Sequence, residues 1–136
     1  MLFLPIFIIT TNKNKDTIDY IFVQCYKTEW VKKAIEINHF GSEQYIWIDF
    51  GIKKIEHCSE ELFVEKLNRL RDKKYDKVRI GSIWNLSANY NIDILKQVAW
   101  YFAGGVFGGD TRSLLTFADL MKAKCTEIIE QHHTIT

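Results

Sequence analysis

The chain has 136 residues, of which 47% are hydrophobic and 26% charged, with a single proline at Pro5. Such a chain suits one globular domain with its own core, and the composition excludes a long disordered region. The net charge is +1, from 18 basic and 17 acidic residues, so the basic surplus with which nucleic-acid-binding domains neutralise phosphates is missing.

The first ten residues, Met1 to Thr10, are apolar. They lack a basic leading region and a small-residue cleavage site, and ten residues cannot cross a bilayer. A buried strand over Phe3 to Ile9 is therefore expected, with no membrane partner. After a polar loop, Ile18 to Cys25 reads as a second extended segment. Glu29 to Asn38 has helical spacing, with Trp30, Val31, Ala34 and Ile37 on one side and Lys32, Lys33 and Glu36 on the other.

Gln44 to Phe50 packs aromatic and aliphatic residues together and predicts a buried strand running into Asp49 and Gly51. Ser59 is placed to cap a helix with Glu60 and Glu61 in its first turn and an apolar stripe of Phe63, Leu67 and Leu70. Lys77 to Trp84 is a strand candidate. Asn91 is expected to cap a further helix through Leu95, Val98 and Phe102, stopping at Gly104. Asp110 can cap a long last helix with Leu114, Phe117, Leu120 and Met121 on one face. Strands alternating with helices predict an α/β fold, a mostly parallel sheet flanked by helices, in which ligands bind beyond the carboxyl ends of strands.

Two stretches can carry chemistry. In Ile46-Trp47-Ile48-Asp49-Phe50-Gly51 an apolar strand ends in a carboxylate. That carboxylate could ligate a divalent cation, accept hydrogen bonds from a sugar or act as a base, or it could simply cap a turn. In Ala103-Gly104-Gly105-Val106-Phe107-Gly108-Gly109-Asp110, four of the chain's seven glycines fall within six residues. Either the chain turns sharply there, or another group approaches the backbone closely.

Gly104 to Thr111 also fits the spacing of a phosphate-binding P-loop, but Asp110 stands where that loop needs its lysine. There is no G-x-S-x-G elbow and no H-E-x-x-H, and His39, His57, His132 and His133 have no metal-ligand spacing. Trp30, Trp47, Trp84 and Trp100 could stack on sugar faces, although the core explains most of them. Cys25, Cys58 and Cys125 are odd in number and form no CxxC pair, which fits reduced thiols in a cytoplasmic protein.

The two stretches, in this order and at this spacing, resemble a known family. Lys32 to Phe40, then Ser42-Glu43-Gln44-Tyr45 leading into Trp-Ile-Asp-Phe-Gly, and then Trp100-Tyr101-Phe102-Ala103-Gly104-Gly105-Val106-Phe107-Gly108-Gly109-Asp110 are similar to the HtrL/YibB family. The resemblance runs from roughly Tyr26 to Phe117, and it casts the chain as a truncated glycosyltransferase domain of GT-A-like fold. It implies transfer of a sugar from a nucleotide-sugar donor to a glycan or other acceptor, with Mn2+ or Mg2+.

On that resemblance Asp49 and Asp110 are catalytic residues, Asp49 is also the metal ligand, and Asp110 helps complete the pocket. Gly104, Gly105, Gly108 and Gly109 lie against the donor sugar or acceptor, with Trp100 and Arg112 as further substrate contacts. The chain departs from the family pattern in that Asp49 is followed by Phe50 and Gly51, so a full DxD is missing. The alternative is an inactive module derived from such an enzyme, binding carbohydrate or a protein partner. A truncated sheet would leave an edge open to pairing, so a homo-oligomer is also expected.

Overall fold

The computed structural model describes residues 7–8, 17–55, 57–88, 90–92, 99, 101–132 and 134–135. Nine elements follow in order: β1 (Phe7–Ile8), α1 (Ile18–Ile37), β2 (Gln44–Ile48), α2 (Ile52–Ile55), α3 (Glu60–Asp72), β3 (Arg79–Ser82), β4 (Phe102–Asp110), α4 (Thr111–His132) and β5 (Thr134–Ile135). The main sheet has three strands in the order β2-β4-β3. Both of its pairings are antiparallel. Among the described residues, only the two-residue pair of β1 with β5 is parallel. The expected mostly parallel, GT-A-like sheet is therefore corrected to a small antiparallel sheet with four helices.

Two local readings account for that correction. Residues 18–25 are rich in β-branched and aromatic side chains, which favour strands locally, yet they form the first half of α1. The Thr17 hydroxyl caps this helix by accepting from the Tyr20 amide at 3.1 Å. Lys27, Thr28, Val31 and Ile35 then fall on one face and are buried, so tertiary packing overrides the β preference. At the other end Asn38 takes the left-handed conformation, and its N–H donates to the Ala34 carbonyl. The helix stops where the sequence predicts.

The second reading concerns the glycines. Ala103 to Gly109 is not a turn but most of β4, the central strand. The helix expected from Asn91 falls largely on residues 93–98 and 100, outside the described residues, but its end is overturned because Phe102 already belongs to β4. The reason for the glycines is close packing. A Cβ on Gly108 would lie 2.7 Å from the Tyr45 carbonyl oxygen of β2, and one on Gly109 would lie 2.9 Å from the Lys77 carbonyl oxygen.

The remaining elements follow their local signals. Ser59 caps α3, accepting from the Leu62 amide at 3.3 Å. Phe63, Leu67 and Leu70 are the half-buried positions of that helix, and none of its residues is fully buried. Strand β3 falls within the expected Lys77 to Trp84.

One face of the sheet carries the core. Val31 and Ile35 of α1 and Leu114 of α4 cluster with Phe107 of β4, ringed by Tyr45, Trp47, Ile80 and Phe117. Leu114 is 1% exposed, and burying one such side chain stabilises the fold by about 1.5–3 kcal/mol. Trp47 and Phe107 are directly paired across the strands with ring centroids 6.4 Å apart. This pairing fixes the register that places Asp49, one step beyond β2, opposite Gly105.

Candidate functional site

Asp49 lies at the carboxyl end of β2, as the sequence predicts, and its amide donates to the Gly105 carbonyl at 2.8 Å. The strand-end carboxylate and the glycine-rich stretch therefore meet. An added Cβ on Gly105 would come within 3.5 Å of the Asp49 Oδ2 atom, which puts the carboxylate over this glycine on the helix-covered face. Gly104 has open space around it.

The register between β3 and β4 jumps at this point. Ile80 pairs with Phe107, and the next residue, Gly81, pairs with Ala103. Gly104, Gly105 and Val106 consequently have no partner on β3, and the bulge marks the floor of a cleft.

Opposite the carboxylate stands Lys27. Its ammonium lies 2.8 Å from Asp49 Oδ1, and it donates to Oδ2 at 2.9 Å and to the Gly104 carbonyl at 3.3 Å. The Trp47 indole N–H donates to Oδ1 at 2.6 Å, and the Lys27 ammonium lies 5.9 Å from the centre of the Trp47 ring. The lysine side chain is 8% exposed and the aspartate side chain 34%. A nearly buried cation thus orients a carboxylate that still reaches solvent. The helix brings Lys27 there because Tyr20, Gln24 and Lys27, spaced four and three apart, line the cleft together.

The cleft has a volume of about 740 Å³, and its lining also includes Ile52, Tyr75, Arg79, Gly104 and Gly105. The Arg79 guanidinium sits over the Tyr75 ring, 5.7 Å from its centroid. Lys27 is the residue that sequence reasoning missed. Reading 18–25 as extended hid its helical face, although a lone lysine between Tyr26 and Trp30 in an apolar stretch was a visible signal.

The other expected site residues lie elsewhere. Asp110 pairs with Gln44 at the opposite end of β4. It is five residues from Gly105, or about 17 Å along a strand. Its carboxylate caps α4, accepting from the Ser113 amide at 3.0 Å and from the Ser113 hydroxyl. That hydroxyl, followed by backbone N–H groups, holds the Asp110 carboxyl below its usual value.

Asp110 and Arg112 line a second cleft of about 980 Å³ with Gln44, Lys74 and Lys77. It is the larger of the two and holds two carboxylates, Asp76 and Asp110, of which Asp110 is committed to the helix cap. The Asp49 carboxylate is oriented by a buried cation and still reaches solvent, which gives its cleft the better claim to chemistry. Gly108 and Gly109 serve strand packing, and Trp100 lies outside the described residues. Of the other tryptophans, Trp84 packs on Tyr90 and Tyr101, while Trp30 stacks on Trp47 at 5.7 Å.

The capping role carries a pH signature. Because the folded state lowers the Asp110 pKa, its contribution is present above the unfolded carboxylate range and lost as pH falls through the folded value. Asp110→Ala is expected to lower the melting temperature at pH 7, and the gap from the native chain should close below about pH 4. Parallel melts of the two proteins across pH check this.

Among the described residues, neither cleft offers a full shell for Mn2+ or Mg2+. Such ions take about six oxygen ligands. Asp49 brings one carboxylate, and both of its oxygens already face the Lys27 ammonium. Among the described residues, no group of three His, Cys, Asp or Glu side chains could hold a metal ion. The described residues do not fit such a cation.

No helix among the described residues is long and apolar enough to cross a membrane. No curated protein and no solved structure matches the chain. A family model does match, over residues 8–135, and it carries the description "Bacterial protein of unknown function (HtrL_YibB)". Its span covers β2, β4, the Lys27–Asp49 pair and both clefts, and the chain belongs to the HtrL_YibB family.

Proposed function

We propose that this chain is a cytoplasmic glycosyltransferase-type domain that transfers a sugar from a nucleotide-sugar donor to a glycan or other acceptor, with the donor sugar against Asp49. One observation carries the reading: a part-exposed carboxylate, oriented by a buried ammonium and an indole N–H, stands over Gly105 in a cleft of ligand size. A carboxylate held in this way accepts hydrogen bonds from sugar hydroxyls. Side-chain-free Gly104 leaves open space at the cleft for a sugar ring.

A second reading has its own observation. Phe22, Tyr26 and Trp30 form an exposed row along α1, 56%, 37% and 42% accessible, with Phe22 stacked on Tyr26 at 4.2 Å. Flat aromatic surfaces pack against the C–H faces of sugars, so this row favours an inactive module that binds carbohydrate.

Thermal denaturation against a panel of nucleotide sugars separates the two. A donor at 100 times its dissociation constant stabilises the fold by about 2.7 kcal/mol, a rise of several degrees for a chain of this size. The first reading expects such a rise with one donor, lost in Asp49→Ala, together with release of nucleoside diphosphate when acceptor is added. A rise with free oligosaccharides and none with any donor would replace it with the second.

A further inference from the structure

We infer that the Asp49 cleft recognises its donor without a divalent cation, because the Lys27 ammonium holds the place beside the carboxylate that such an ion would need. The inference rests on the nucleotide-sugar reading above and removes the cation from it. The ammonium has three N–H donors, and its neighbours account for them: the two Asp49 oxygens at 2.8 and 2.9 Å and the Gly104 carbonyl at 3.3 Å. A cation bound to Asp49 would have to displace this ammonium, whose side chain is only 8% exposed.

The displaced lysine would then lack a partner inside the protein. Among the described residues, the cleft's lining contains no second carboxylate, histidine or cysteine to share the cation or take up the freed ammonium. A buried charge without a partner is strongly unfavourable.

The same geometry leaves Asp49 a ligand-facing role. Oδ1 already accepts from Trp47 and faces Lys27, but the side chain keeps 34% of its surface exposed, and a carboxylate has about four lone-pair sites. The one lone-pair site left, on Oδ2, suits a single O–H donor of a sugar. The positive charge that a bound cation would bring near the donor falls instead to the Lys27 ammonium, which lines the cleft.

The test is calorimetric binding of UDP-glucose, UDP-galactose and GDP-mannose to the native chain, once with EDTA and once with excess Mn2+. The expected result is binding of one donor with an affinity that agrees within about twofold in the two buffers. In Lys27→Met the affinity should fall at least tenfold and should not be recovered by Mn2+. Lys27→Arg, which keeps the charge, should retain most of it. Binding by the native chain that appears only with Mn2+ would overturn this inference and leave the transferase reading standing. Absence of binding in both buffers, from a chain that melts cooperatively, would overturn both. The buffer comparison needs no variant, so a folding defect in Lys27→Met cannot obscure the outcome.

Discussion

Gly108→Ala is expected to destabilise the chain by about 3 kcal/mol, whereas Gly104→Ala, four residues earlier on the same strand, should change stability by no more than about 0.5 kcal/mol. The contrast comes from what each new methyl group would meet. At Gly108 it would lie 2.7 Å from the Tyr45 carbonyl oxygen and 3.0 Å from Ile46 Cγ1. The first of these is backbone in the paired strand and can retreat only by spreading β2 from β4. At Gly104 nothing lies within 4 Å.

Urea unfolding of the two variants reads the difference as a shift in midpoint at constant slope. Gly105→Ala is the informative intermediate. Its methyl would meet the Ile52 Cδ1 atom at 3.2 Å and Asp49 Oδ2 at 3.5 Å, so it should cost little stability while crowding the carboxylate. Equal costs at Gly104 and Gly108 would mean that β4 is not packed against β2 as described.

Lys27→Met should cost about 2–3 kcal/mol. Breaking a fully buried ion pair from one side costs about 3–5 kcal/mol. The lower figure applies here because Asp49 is 34% exposed, so water can solvate part of the orphaned carboxylate. For a chain of this length that is a fall of about 10 °C in melting temperature. Asp49→Asn alone leaves the ammonium without its counter-charge. The double variant removes both charges and should be less destabilised than the sum of the single variants, the signature of direct coupling. The effect should survive moderate salt, because a covered pair is screened far less than a surface one. A loss below about 0.5 kcal/mol in Lys27→Met would show that the pair does not form in solution.

How far the sequence could be read depended on whether a local signal agreed with its tertiary setting. Ser59 and Asp110 are caps, and their side chains accept from amides three residues on. That chemistry is local, so both helix starts were legible. The strand carrying Trp47 into Asp49 was legible for a similar reason, since its aromatic residues Tyr45 and Trp47 also face the core. Residues 18–25 have the same composition but lie in α1, where the buried positions four apart that decide the matter, Val31 and Ile35, lie further along.

The glycines left a turn and a close approach to the backbone equally open. Glycine permits turns, but Gly108 and Gly109 are there because β2 and the segment at Lys77 and Val78 leave no space for a Cβ. That constraint comes from neighbours distant in sequence. It also moved the antiparallel β4 into the centre of the sheet and dissolved the parallel α/β arrangement. The site was half legible. Asp49 and Gly105 were placed together by their hydrogen bond, Lys27 was hidden inside the misread segment, and Asp110 was drawn away by its helix.

The most direct measurement of the central claim, that the Asp49 cleft is where a nucleotide sugar binds, is an NMR titration that follows backbone amides and the Trp47 indole N–H. That indole proton rests on the Asp49 carboxylate at 2.6 Å from nitrogen to oxygen, so it reports on the carboxylate from the nearest possible vantage. Addition of the donor that stabilises the chain should shift the Trp47 indole and the Gly104 and Gly105 amides, and leave Ser113 at the Asp110 cap unchanged. Shifts confined to Arg112, Ser113 and Lys77, with the Trp47 indole unmoved, would contradict the account and move the binding site to the opposite end of the sheet.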